Sequence, residues 1–169
     1  MEAVIIIDML RRAGVDVVVA GDGDMVTCSR GIRIIPDISI DEIHDDDHFD
    51  AVILPGGSQG VEAFASNSTL AHIVARLRNS KALVGAICAA PAALHEYGLL
   101  RSGQIVTGHP SIMNVLAPYT YSLNRVAEDQ GIITSRGAGT AFEFALALIK
   151  RLVGEEAARR IATDIVLYE

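Results

Sequence analysis

Two six-residue runs, 49–54 (FDAVIL) and 82–87 (ALVGAI), constrain this chain more than anything else in it. Each is almost wholly apolar. The first stops at Pro55-Gly56-Gly57 and the second at Cys88. A strand wetted on one face alternates apolar and polar side chains, whereas a continuous apolar run means that both faces are covered. Further β-rich runs at 15–20, 32–35 and 104–107 alternate with helical-period segments at 67–79, 89–97 and 140–153. Asn67 or Ser68 is the expected N-cap of the first of these helices, and Gly98 and Gly154 are expected stops for the other two. Residues 124–135 read as two strands about an Asp129-Gln130-Gly131 turn. A final helix starts near Glu155-Glu156, where acidic side chains suit the positive end of the dipole. Strands alternating with helices predict an α/β fold, a mostly parallel sheet with helices on both faces. The 169 residues suit one domain, 1–169, with a sizeable core.

The first segment is harder to place. Val4-Ile5-Ile6-Ile7 is β-branched and could be a strand. Against that, Ile6, Met9, Leu10 and Ala13 share one helical face, Arg11-Arg12 suit a helix C-terminus, and Gly14 is a natural stop. A buried helix is the preferred reading, although sheets of this kind usually open with a strand.

Charge and composition exclude several classes of function. The net charge of -7 argues against nucleic-acid binding, which needs a basic surface. No run approaches the ~20 apolar residues that span a bilayer. The start, Met1-Glu2-Ala3-Val4, lacks a basic n-region, so no export signal and a cytoplasmic location are expected. The two cysteines, Cys28 and Cys88, sit in no CxxC spacing and are expected as free thiols. His44 and His48 flank Asp45-Asp46-Asp47, but this mixed set reads as a solvated acidic loop, and neither metal nor cofactor is expected.

Chemistry concentrates at Cys88. It follows a buried strand directly, precedes the helix-forming AAPAAL, and has small neighbours in Gly85, Ala86, Ala89 and Ala90. That is the pattern of a nucleophile elbow with cysteine in place of serine. A buried core cysteine is the alternative, and the strand–Cys–helix context favours a reactive one. A helix N-terminus is expected to stabilise the thiolate and lower its pKa, and the N–H of Ala89 is expected to face an oxyanion. Gly56-Gly57 ends another strand at the same edge of the sheet, where loops build sites in open parallel sheets, although an ordinary tight turn reads the same way. His109 follows the 104–107 strand and is either a general base near the thiol or a loop histidine bonded to its neighbours. By spacing alone Glu2 is an unremarkable, solvated N-terminal residue.

The segments VVVAG, CSRG, FDAVILPGG, AICAAP, TGHP, NRV, TSRGAGTAFEFALALI and LVG follow in order over nearly the whole chain. Together they resemble the ThiJ/PfpI superfamily, in particular the branch of the parkinsonism-associated deglycase and bacterial ThiJ-like proteins. The resemblance implies a flavodoxin-like sandwich, usually a homodimer, with Cys88 as a readily oxidised nucleophile and Glu2 hydrogen-bonded to it. It implies an oxyanion pocket from Gly56, Gly57 and Ala89, a nearby His109, and Arg12 and Arg30 near the pocket and dimer interface. Cys28 matches a second, less reactive cysteine. Two departures stand out. Ala138 occupies a position where relatives often have proline. Relatives also carry a strand ahead of the glutamate, inside the sheet; with Glu2 second in this sequence, unpaired backbone groups and an open core are expected.

Three functions compete on this reading. The first is cofactor-free processing of small reactive aldehydes such as methylglyoxal, or of glycated amines and thiols, with Cys88 as nucleophile and Glu2 as proton shuttle. The second is a redox sensor or stress chaperone working through oxidation of Cys88. The third is a cysteine peptidase or amidohydrolase; peptidase relatives tend to place histidine directly after the cysteine, where this chain has Ala89, so this ranks last.

Overall fold

The computed structural model describes residues 1–167. The chain opens with helix α1 (Glu2–Arg12), then β1 (Ala20–Gly21), β2 (Val26–Thr27), β3 (Arg33–Ile34) and β4 (Ile38–Ser39). There follow β5 (Ala51–Leu54), α2 (Ser58–Ser66), α3 (Ser68–Asn79), β6 (Leu83–Ile87) and α4 (Pro91–Glu96). The last third holds β7 (Ile105–Val106), β8 (Thr120–Tyr121), β9 (Val126–Asp129), β10 (Ile132–Ser135), α5 (Ala141–Leu152) and α6 (Glu155–Asp164). The central sheet runs β5-β6-β10-β9. It is parallel except for the β9–β10 hairpin, whose turn carries Gln130 and Gly131 at positive φ. Among the described residues no helix is long and apolar enough to cross a membrane.

Alternation along β6 and β10 splits the core into two layers. Leu83, Ile87 and Ile133 pack under α1, α5 and α6, meeting Ile6, Met9, Leu10, Phe144, Leu148 and Ile161. Val84, Ala86 and Ile132 face the opposite way, onto Val61, Leu70, Val74 and Leu94 from α2, α3 and α4. Every residue of β6 is buried, as its continuous apolar run demands. Gly85 has a packing role in it: a Cβ there would lie 2.7 Å from Ile53 Cδ1 and 3.0 Å from Phe144 Cζ.

Local signals explain most boundaries. The Asn67 side chain accepts the N–H of Leu70 at 2.9 Å and starts α3 as an N-cap. Gly98 (φ 66) follows α4 and Gly154 (φ 120) separates α5 from α6. The opening segment is helical, and its buried Ile6, Met9 and Leu10 rest on α5.

Two expectations need correction. Residues 58–66, given no element in the sequence reading, form α2 with Gly57 as N-cap and no side-chain cap bond, so the usual capping signal is absent. Residues 15–20 do not form a full strand: only Ala20 and Gly21 enter a ladder, with Ile38 and Ser39. Residues 15–19 have a wall of the sheet on one side only. Between them and β5 lies a cavity of about 940 Å³, roofed by Ile7 and Leu10 of α1 and floored by Ile73 and Leu77 of α3. For the same reason β5 is less buried than its composition implies: Leu54 is buried, whereas Ala51, Val52 and Ile53 are only half-buried.

Candidate active site

The carboxyl ends of β5, β6 and β10 lie side by side, so the residues just beyond them are brought together by parallel pairing. Cys88 follows β6 and takes φ 64, in the left-handed region. Two main-chain bonds fix it there: its own N–H donates to the Ser135 carbonyl at 2.9 Å, and its carbonyl accepts the His109 N–H at 2.8 Å. The turn then tightens through Ala90 N–H to the Ile87 carbonyl at 3.0 Å and leads into α4, with Pro91 in its first turn.

Glu2 arrives from the start of α1. Its Oε2 accepts the Gly56 N–H at 2.8 Å, and its carboxylate lies close enough to the Cys88 thiol to raise the thiol's pKa. This is the carboxylate that spacing alone left as an unremarkable terminal residue, and only the resemblance pointed to it. Gly56 is indispensable in this arrangement. A Cβ there would stand 2.5 Å from Cys88 Cβ, 2.6 Å from Glu2 Oε2 and 2.9 Å from the Ile87 carbonyl oxygen. Gly57 takes φ 104, and its main-chain N–H and that of Ala89 lie near enough to the sulfur to lower the thiol's pKa.

The electrostatics run against the expectation of a lowered thiol pKa. Burial, the Glu2 charge and the Glu2 hydrogen bond push Cys88 from 9.0 up to about 11, and the Ala89 and Gly57 N–H groups offset only part of this. The α4 terminus is real, but half-burial beside a carboxylate outweighs it. The resting group is a thiol beside a carboxylate, with the Ala89 and Gly57 N–H groups near the sulfur.

His109 lies at the rim and is exposed. Its Nδ1 accepts the Ser111 N–H at 3.2 Å and lies 2.8 Å from Ser111 Oγ. A neutral ring held this way carries its proton on Nε2, which makes that atom a donor to an incoming ligand instead of a general base. The ring borders Gly137: a Cβ at 137 would lie 3.7 Å from His109 Cδ2 and 3.9 Å from Cys88 Sγ. Gly137 and Ser135, both just past or at the end of β10, were not singled out from sequence. The glycine keeps the space above the sulfur open, and the serine holds the Cys88 backbone. Their signal was a strand followed by Arg136-Gly137 at the same sheet edge.

The arginines do not join this group. Arg12 Nε pairs with Asp8 at 2.7 Å on the exposed side of α1, ten residues and about 15 Å of helix from Glu2. Arg30 is exposed at φ 68 in the turn after β2, and its side chain makes no hydrogen bond among the described residues. The acidic loop is occupied by its own contacts: Asp45 holds His72 at 2.8 Å, and Asp47 accepts the His44 N–H at 2.8 Å. Both Cys28 and Cys88 are free.

The chain is similar to known proteins over nearly its whole length. Residues 1–151 match the model of the DJ-1/PfpI family. The chain is 39% identical to the Parkinson disease protein 7 homolog of Danio rerio, covering 100% of this chain and 92% of that one. It is 32% identical to the glutathione-independent glyoxalase DJR-1.2 of Caenorhabditis elegans, over 99% of this chain and 89% of the other. Among solved structures, Drosophila melanogaster DJ-1beta superposes with a TM-score of 0.94 at 39% identity, covering 99% of this chain and 91% of that chain. Oxidized Toxoplasma gondii DJ-1 gives 0.91 at 37% identity, covering 98% and 90%. The chain belongs to the DJ-1/PfpI family, and its fold is the flavodoxin-like sandwich of DJ-1 proteins.

Proposed function

We propose that this protein converts small reactive dicarbonyls to hydroxy acids without glutathione or any other cofactor, turning methylglyoxal into lactate. What supports the reading is one thiol beside the Glu2 carboxylate and near the main-chain N–H groups of Gly57 and Ala89. Such a set can pass a proton one way while stabilising charge on the other.

Because Cys88 rests as a thiol, its deprotonation is coupled to attack. Sulfur bonds to the aldehyde carbon as its proton passes to the Glu2 carboxylate, and the new oxyanion meets the Gly57 and Ala89 N–H groups. That oxyanion then takes the proton back from Glu2, giving a hemithioacetal and restoring the carboxylate. The Glu2 carboxylate next removes the hydrogen from the former aldehyde carbon and returns it to the neighbouring carbon through an enediol. The first carbon is oxidised and the second reduced, leaving a lactate thioester on Cys88. Water cleaves the thioester, releasing lactate and restoring the thiol, so the net reaction is methylglyoxal plus water to lactic acid. The His109 Nε2–H is a donor for the second carbonyl oxygen. Release of glycated amines or thiols would use the same steps. A relative named as a glutathione-independent glyoxalase supports the assignment. The raised thiol pKa disfavours a sensor that depends on a resting thiolate.

The test is lactate release from methylglyoxal by the wild-type chain, Cys88→Ala and Glu2→Gln. Lactate formation lost in both variants, with folding intact, supports the scheme; full turnover in either one rejects it.

The reading extends to a homodimer. Met25, Val26, Ile32 and Ile35 around the β2–β3 hairpin are all exposed, Ile35 at 76%, and such a set marks a surface that a second copy can cover. Sedimentation equilibrium checks this: twice the chain mass supports it, and a monomer at high concentration removes it.

A further inference from the structure

Three glycines at the carboxyl end of the sheet are fixed by the fold. Gly56 has no room for a Cβ beside Cys88 and Glu2, and Gly57 takes φ 104. A Cβ on Gly108 would stand 2.9 Å from Ile112 Cδ1 and 3.1 Å from the Cys88 carbonyl oxygen. Gly137 is not fixed in this way. Its φ of 166 is extended backbone that any residue adopts. A Cβ there would meet His109 Cδ2 at 3.7 Å and Cys88 Sγ at 3.9 Å, both ordinary contact distances. Neither strain nor crowding excludes a side chain, so the glycine leaves a methyl-sized space open between the nucleophile and the rim histidine.

That space has rigid borders. The Thr140 hydroxyl donates to the Gly137 carbonyl at 2.9 Å and accepts the Gly137 N–H at 3.1 Å, and the Thr140 N–H donates to the same carbonyl at 2.8 Å. Ser135 Oγ lies 2.6 Å from Thr140 Oγ1, and the Ser135 carbonyl accepts the Cys88 N–H at 2.9 Å. Both hydroxyl residues are buried. Position 137 and the sulfur are thus tied to one frame, and a methyl added at 137 has no way to swing aside.

The two atoms that border the space say which part of a substrate enters it. An aldehyde carbon poised for attack lies about 3–3.5 Å from the sulfur. His109 Cδ2 is bonded to Nε2, the donor to the second carbonyl oxygen in the proposed scheme. The space therefore lies beside the second carbon, where glyoxal carries hydrogen and methylglyoxal carries a methyl group. We infer that Gly137 is the specificity-determining residue of this site: its missing side chain admits the substituent on the second carbon of a 2-oxoaldehyde, so that ketoaldehydes are accepted beside glyoxal. The inference rests on the carbonyl-processing reading.

The test measures kcat/KM for glyoxal to glycolate and for methylglyoxal to lactate, beside a thermal melt. Gly137→Ala should lower the methylglyoxal-to-glyoxal ratio by about tenfold or more, since one methyl group in a pocket is worth about 10–200-fold. Its melt should match that of the parent chain. Gly139→Ala lies in the same turn, adds a Cβ that meets nothing within 4 Å, and should leave the ratio unchanged. Equal losses on both aldehydes, or no loss on either, overturn the inference. A lowered melt in Gly137→Ala also overturns it, because packing then demands the glycine. Alkylation of Cys88 by iodoacetamide and by N-tert-butyl iodoacetamide separates these failures from failure of the carbonyl-processing reading. A wild-type chain that forms neither acid refutes that reading. Slower alkylation of Gly137→Ala by the bulky reagent alone then upholds the space at 137, and equal slowing by both reagents removes it.

Discussion

Gly56→Ala is the most informative single substitution at the site, because its consequence can be worked from distances. The added methyl would sit 2.5 Å from Cys88 Cβ, 2.6 Å from Glu2 Oε2 and 2.9 Å from the Ile87 carbonyl oxygen. Carbon atoms pack comfortably at about 3.5–4.0 Å, so the first overlap alone is about 1 Å. Cys88 Cβ cannot rotate away. It is tied directly to a backbone held by Ser135 on one side and His109 on the other. The Ile87 carbonyl is also main chain. Relief must come from turning the Gly56 peptide or moving Glu2, and either motion breaks the 2.8 Å bond between them. Overpacking of this kind costs about 1–3 kcal/mol, which for a chain of this size lowers Tm by roughly 2–4 °C per kcal/mol. A displacement of about 1 Å at reacting groups costs on the order of 10²-fold in rate. The assay is kcat/KM for lactate from methylglyoxal, read beside a thermal melt. Gly60→Ala is the matched control: it lies in α2, a Cβ there meets nothing within 4 Å, and it should leave activity unchanged. Wild-type turnover and melting in Gly56→Ala would refute the close packing of Gly56, Cys88 and Glu2 on which the scheme depends.

Other outcomes follow from the same geometry. Alkylation of Cys88 by iodoacetamide should titrate with a midpoint near 11, and Glu2→Gln should lower it while burial keeps it above 9.0; a wild-type midpoint below 9.0 refutes the assignment. Since the folded thiol binds its proton more tightly than the ordinary thiol at 9.0, its contribution to stability is intact below pH 9.0 and is lost as pH rises toward about 11, which urea unfolding across that window measures. His109→Ala should lower kcat/KM by about five- to tenfold, the worth of one neutral hydrogen bond, with the shape of the pH profile unchanged. Asn67→Ala should cost about 1 kcal/mol through the lost α3 cap, visible in the melt and absent from the kinetics.

The parts of the fold set by local chemistry were readable in advance. The apolar run 82–87 has one solution, a strand covered on both faces, and it places Cys88 at an elbow. Ile6, Met9 and Leu10 settle the opening helix despite its β-branched start, because burial against α5 outweighs propensity. What was not readable depends on partners distant in the chain. Residues 15–19 carry strand-forming valines, yet a strand needs a neighbour, and the ladder begins only where Ala20 meets Ile38. Helix α2 begins at a glycine that offers no side-chain cap, so the start signal is missing. The sign of the Cys88 shift was misjudged for a related reason. A helix terminus is visible in sequence, whereas burial of the sulfur and the proximity of Glu2, 86 residues away, are tertiary facts that together outweigh it. Within this chain helix geometry carries Arg12 about 15 Å from Glu2.

The left-handed backbone of Cys88 sets stability and chemistry against each other at a single position. A side chain at φ 64 costs on the order of 1–3 kcal/mol where glycine would cost far less. Cys88→Gly is then expected to fold more stably than Cys88→Ala, and to approach or exceed the parent chain while having no nucleophile. Selection for thermal endurance alone would drift toward glycine at 88 and end in a sturdier, inert protein. On the proposed reading, the strain at this position is the cost of keeping a sulfur there.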